Sequence, residues 1–143
     1  MLSFISANEE EKWNDIVKSF KNYDVYYLLE YAKAFQIHGD GEPLLIYYND
    51  NDFRAMNVVM KRDISLDERF QGKITSNNYY DISTPYGYGG FIVEGEASIK
   101  NINKLHEEYN KACINKGIIS EFVRFHPVLN NSKFLEEIYD VET

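Results

Sequence analysis

Arg124 and His126 sit two positions apart in the run Arg-Phe-His-Pro, joining a fixed cation to a ring that can donate, accept or transfer a proton near neutral pH. In an extended chain alternate side chains share one face at a spacing of about 6.6 Å, so both could touch one ligand bearing a carboxylate or phosphate. A second concentration lies upstream. Residues 79–91, Tyr-Tyr-Asp-Ile-Ser-Thr-Pro-Tyr-Gly-Tyr-Gly-Gly-Phe, hold four tyrosines, three glycines and one proline. Glycine lets another group approach the main chain, and tyrosine offers a flat apolar body with a polar tip, so Tyr86, Gly87, Tyr88, Gly89 and Gly90 read as a binding wall. Asp81, on the strand that enters this turn, is placed to orient a tyrosine hydroxyl or to receive an amine. Plainer roles stand beside these: Arg124 neutralising Glu121 or binding carbonyls, His126 capping a following helix, the glycines forming a tight turn or bulge.

Other chemistries find no support in the residue pattern. The Gly87-Tyr88-Gly89-Gly90 run lacks the Gly-Lys-Ser/Thr ending of a nucleotide loop, and the residues after it look extended rather than helical. His38, His106 and His126 are scattered and the one cysteine is Cys113, so no zinc set assembles and no metal is expected. Cys113 falls at helical spacing with Leu105, Tyr109 and Ala112, which reads as a small buried hydrophobe. No Ser-His-Asp order or paired-carboxylate spacing stands out.

The chain has 143 residues, 44% of them hydrophobic and 27% charged, which suits one folded domain rather than a disordered segment. Its net charge of -8 repels a phosphate backbone, and its lysines and arginines are interrupted by acids, so neither DNA nor transfer RNA is an expected partner. A single cysteine, no secretory leader and no apolar run of about 18 residues point to a cytoplasmic protein without an integral membrane segment.

The elements that must position these residues follow from periodicity. Trp13, Ile16, Val17 and Phe20 mark one face of a helix that Asn8 would cap, and Leu28, Tyr31, Ala32 and Phe35 mark a second, stopped by Gly39 and Gly41. Residues 43–48 and 53–61 read as a hairpin across Asn49-Asp50-Asn51-Asp52, and residues 62–78 as a surface loop or short helix. A strand over 79–83 leads to the glycine turn. Ile102, Leu105, Tyr109, Ala112 and Cys113 then face inward on a long helix closed by Gly117, followed by a strand over 118–125 on which Glu121 points away from Arg124. A last helix starts near Asn131 or Ser132. The sum is an α+β domain with a mixed, mostly antiparallel sheet flanked by helices.

The two motif stretches, residues 79–91 and Ser-Glu-Phe-Val-Arg-Phe-His-Pro-Val-Leu-Asn-Asn, together resemble the Fem-type branch of the GNAT-related N-acyltransferases. In that family a helix pair precedes an antiparallel hairpin, then comes a Tyr-Gly-Tyr-Gly-Gly strand-turn, and a helix leads to a central strand ending in Arg-Phe-His-Pro. The resemblance covers most of the chain. It implies a GNAT-like fold and transfer of an acyl or aminoacyl group to an amine, as in building peptidoglycan cross-bridges. It places Tyr86, Gly87, Tyr88, Gly89 and Gly90 along an acceptor groove for a small-molecule or peptide amine, with Arg124 and His126 at its edge, and Asp81 joins them as a substrate-binding residue on the residue reading above. Family members usually hold two such units, so this chain corresponds to the N-terminal one. The acyl-CoA or aminoacyl donor is then expected to need a second GNAT-like domain or a homodimer partner, since no Arg/Gln-x-x-Gly-x-Gly/Ala loop opens a helix after Phe125 and Pro127 stands there instead. A non-catalytic module that keeps the groove, or a stand-alone GNAT acetyltransferase, are the alternatives.

Overall fold

Side chains alternate along the central hairpin, and that alternation divides the interior in two. In the computed structural model, which describes residues 1–142, strand β2 (Glu42–Asp50) pairs antiparallel with β3 (Phe53–Asp63). Met56, Val58 and Met60 of β3 face one way and pack with Trp13, Val17 and Leu29. Phe53, Ala55 and Val59 face the other way and pack with Ile102, Leu105 and Tyr109. Helices α1 (Glu10–Ser19) and α2 (Leu29–His38) therefore cover one face of the sheet, and α3 (Ile99–Asn115) covers the opposite one. No helix among the described residues is long and apolar enough to cross a membrane.

The sheet has six strands. With β1 (Leu2–Ser6), β4 (Tyr80–Ser83), β5 (Ile92–Gly95) and β6 (Ile118–Phe122), its order is β1-β2-β3-β4-β6, and β5 also pairs with β3. All neighbours are antiparallel except β4 and β6, which run parallel and are joined through α3. The architecture is α+β, with a mostly antiparallel open sheet flanked by helices. Strand β5 lies against Phe53 to Met56 and β4 against Met60 to Asp63, so the two lie end to end along one side of β3. Residues 84–91 between them leave the β3 ladder and keep an isolated parallel bridge from Gly89 to Phe125. Their excursion is the glycine and tyrosine segment.

Several boundaries differ from the sequence reading for identifiable reasons. Strand β1 had no separate expectation. Its Ile5 is fully buried, and its residues pair with Leu44 to Tyr48. The N-cap position of α1 is Glu9 rather than Asn8 and carries no side-chain cap bond; the Glu9 carboxylate instead accepts from the preceding Ser6 amide at 3.1 Å and holds Lys12 at 3.0 Å. Strand β6 ends at Phe122, three residues before Phe125, because its partner β4 runs into Pro85, which has no N–H to offer. It is also an edge strand of the sheet, as β1 is at the other end, and not a central one. The last helix is only a 3-10 turn, Asn131–Phe134, extended by further turns. These suffice to bury Leu135 and to seat Ile138 and Tyr139 on the α3 side, while Phe134 stays half exposed.

Candidate functional site

Where β4 gives out, side chains replace the missing ladder. The Thr84 N–H donates to the Phe122 carbonyl at 3.0 Å, and its Oγ1 accepts from the Arg124 N–H at 2.9 Å. The Gly89 N–H then donates to the Arg124 carbonyl at 2.8 Å. Arg124 is thus clamped through its backbone on both sides. Its guanidinium makes no ion pair and no side-chain hydrogen bond among the described residues, and it lines a cavity of about 230 Å3 on the α2 side of the sheet. Met60 and Phe122 contribute the floor, Tyr86 and Gly87 a wall, and Asp40 and Arg62 the remaining charge.

Arg62 is already satisfied. Its Nε and Nη2 donate to the two Asp81 oxygens at 2.9 and 2.6 Å, which pushes its pKa up further. Asp81 itself does not line this cavity. It belongs to a neighbouring depression of about 710 Å3 reached across Arg62, bordered by the loop after β3. Asp40 follows the C-terminal cap of α2, and its carboxylate accepts from the exposed His38 ring at 3.0 Å.

His126 lies on the same side of the sheet as Arg124, as alternation requires, but not in the cavity. Its ring is buried at 5% exposure and every nitrogen is engaged. Nδ1 accepts from the Val128 and Leu129 amides at 3.2 Å each, which leaves the proton on Nε2, 3.1 Å from the Asp24 carboxylate. A ring held in this way caps the turn that follows it, the plainer of its two expected roles.

The tyrosines build a wall by leaning on α2 and the turn before it. The Tyr86 ring lies 6.0 Å from Phe35, and its carbonyl accepts from the Tyr31 hydroxyl at 2.5 Å. Tyr88 sits 5.9 Å from Tyr26 and 5.7 Å from His126. Two glycines are required by geometry. Gly87 has φ of 107° and any Cβ there would run into the Tyr26 ring, while Gly90 has φ of 87° and a Cβ would meet Phe125 at 2.8 Å. Gly89 and Gly90 are buried, and their carbonyls accept from Asn131 Nδ2 and the Tyr27 hydroxyl at 2.8 and 2.9 Å. Of the residues expected along the groove, then, Tyr86, Gly87 and Arg124 come together. Tyr88, Gly89, Gly90 and His126 hold the segment from behind.

Sequence reasoning missed Asp40, Arg62, Thr84 and Phe122 as cavity residues. Arg62 was masked by Asp63 and Asp67 and read as part of a solvated loop, although it ends β3 directly opposite Asp81. Alternation along a strand on which Glu121 points away from Arg124 puts Phe122 on the Arg124 face, which is the available signal for Phe122.

A second polar group lies on the opposite face. Glu121 points away from Arg124, as expected, into the α3 core. Its carboxylate accepts from the Tyr139 hydroxyl at 3.1 Å and faces Asn57 Nδ2 at 3.5 Å. Tyr109 and Cys113 border it too, and no cation does among the described residues. Burial without a compensating positive charge pushes its pKa up to about 7. The same surroundings push the half-buried Cys113 thiol up to about 11. Asn57 Oδ1 and the Tyr109 hydroxyl are buried with no hydrogen-bond partner, and a protonated Glu121 would have an O–H to offer them. Comparison of the chain with protein-family models, curated proteins and solved structures finds no match.

Proposed function

We propose that this chain is a Fem-type N-acyltransferase domain with a GNAT-like fold, and that the cavity beside Arg124 is part of its acceptor groove. The observation that carries the reading is that the two sequence motifs, far apart in the chain, meet there: Tyr86 and Gly87 from one, Arg124 from the other. The element order supports it as well, with a helix pair, a hairpin, the glycine segment, a helix and then the strand leading to Arg124. In the reaction, the acceptor nitrogen bonds to the acyl carbonyl carbon. The carbon–sulfur or carbon–oxygen bond to the donor breaks, and the leaving group takes up the proton that the amine loses.

A cavity of about 230 Å3 is smaller than the roughly 300–1,000 Å3 of pockets for drug-sized ligands. It suits the amine end of an acceptor, such as a peptidoglycan-type peptide or another small amine. The acyl-CoA or aminoacyl donor would then bind on a surface supplied by a second GNAT-like domain or by a homodimer partner. A non-catalytic acceptor-binding module is the second reading. It is favoured by the state of the carboxylates nearby, since Asp81 is tied to Arg62 and Asp40 to His38.

Amide spectra recorded while small amines and acetyl-CoA are titrated in separate experiments test the groove. Small amines should move the Tyr86, Gly87 and Arg124 signals and acetyl-CoA should not. Acetyl-CoA binding at those residues with no amine binding there would sink the reading. Release of free thiol from acetyl-CoA in the presence of a bound amine separates the enzyme from the module.

A further inference from the structure

The charges around the cavity differ in how far they are already spent. Arg62 is neutralised by a two-point pair with Asp81. Arg124 is not: its backbone is fixed by Thr84 and Gly89 at the rim of the cavity, and its exposed side chain has no charged partner among the described residues. Asp40 adds a carboxylate whose side-chain partner is only the exposed His38 ring. Two aromatic rings lie in the same wall and floor while remaining largely open to solvent, Tyr86 at 73% and Phe122 at 64% exposure.

We propose that the groove takes an anionic amine: its carboxylate or phosphate pairs with Arg124, its ammonium end faces Asp40, and the few atoms between them lie over Phe122 and Tyr86. This rests on the acceptor-groove reading and narrows it to a class of acceptor. An arginine fork meets a planar or tetrahedral anion with two parallel hydrogen bonds, which a neutral amine could not return. The chain carries a net charge of -8, so an anion would be repelled in general and drawn only where a cation stands unpaired. A cavity of about 230 Å3 has room for about one amino acid or a dipeptide rather than a longer peptide.

The test uses the full chain and four probes: glycylglycine, glycylglycine amide, N-acetylglycylglycine and O-phosphoethanolamine, with binding read from the Tyr86 and Gly87 amide signals. Removing either charge of glycylglycine should weaken binding by about tenfold or more. Arg124→Gln should abolish the preference for the free carboxylate, Arg124→Lys should keep part of it, and Asp40→Asn should abolish the preference for the free amine. Both side chains are solvent-facing, so these variants should fold as the parent does. Tighter binding of O-phosphoethanolamine than of glycylglycine assigns the anion to phosphate, and weaker binding assigns it to carboxylate. Equal binding of glycylglycine and its amide, or an unchanged preference in Arg124→Gln, overturns the proposal. If the charge preferences hold but no donor acylates the bound amine, the ligand class stands and the acyltransferase reading falls. If neutral amines are acylated as fast as charged ones, the enzyme stands and this ligand class falls.

Discussion

Replacing Glu121 with Gln should stabilise the protein at neutral and alkaline pH and leave it nearly unchanged in mild acid. The carboxyl titrates at about 7 in the folded chain against an ordinary 4.5, because it is enclosed by Tyr139, Asn57, Tyr109 and Cys113 with no cation nearby. A group that holds its proton more tightly when folded contributes stability that is fully present below pH 4.5 and is lost as pH rises through about 7. Each pKa unit corresponds to about 1.4 kcal/mol, so the loss is at most about 3.5 kcal/mol. Gln keeps the shape of the protonated acid and cannot ionise. Its carbonyl can accept from Tyr139, and its amide then stands where Oε1 faced Asn57, so that a turned-over Asn57 side chain accepts from it through the orphaned Oδ1. Urea unfolding of both proteins at intervals from pH 4.5 to 8.5 measures the difference directly. The curves should coincide near pH 4.5 and diverge steadily up to about pH 8, with the variant higher. A variant less stable at every pH, or a difference that does not change with pH, would refute the argument that burial of an unpaired charge governs this cluster.

Gly90→Ala should lower stability by roughly 2–3 kcal/mol, from a positive φ and the collision with Phe125, and appears as a shifted urea midpoint. His126→Ala should cost about 2–4 kcal/mol, because it empties a buried site and strips partners from Asp24 and two amides, while ligand preference at Arg124 stays as in the parent. Asp81→Asn should change stability by less than about 1 kcal/mol, since the pair is partly exposed, yet should tighten binding of an anionic probe by releasing Arg62. Trp13→Phe should cost about 1–3 kcal/mol, as the indole N–H to the Tyr27 carbonyl is buried, and thermal denaturation followed by circular dichroism reads it.

Long periodic stretches carried their structure openly. The inward row of α3 from Ile102 to Cys113 and the hairpin of β2 and β3 were legible because packing on one face repeats at a fixed interval. Strand β1 was not, since five residues show little periodicity and its place is decided by pairing with β2. The segment after Asn131 had helical spacing in Phe134, Leu135, Ile138 and Tyr139, but a few turns already deliver three of those side chains to the core. At the site, Tyr86, Gly87 and Arg124 were visible as unusual residues in unusual company. Arg62 and Asp40 were not, because what places them is register across strands and the end of α2, neither of which leaves a local mark. His126 stood in the sequence between a ligand role and a capping one, and only the fold shows its Nδ1 turned onto the Val128 and Leu129 amides and its Nε2 onto Asp24.

The parallel pairing of β4 with β6 also bears on the order in which the molecule becomes itself. Hairpin β2–β3 closes over a short turn, but β4 meets β6 only after the whole of β5 and α3 has been laid down between them. Closing a longer loop costs more entropy before contacts repay it, so this pair should form late. Arg124 gains its backbone clamps from that same joint. A chain with β1 to β3 and both covering helices in place would thus be largely folded and still blind to its ligand. Pulse-labelled hydrogen exchange should find the amides of β3 protected before those of Thr84, Gly89 and Arg124, and a ligand of the groove should slow the opening of that edge before it affects any other part of the protein.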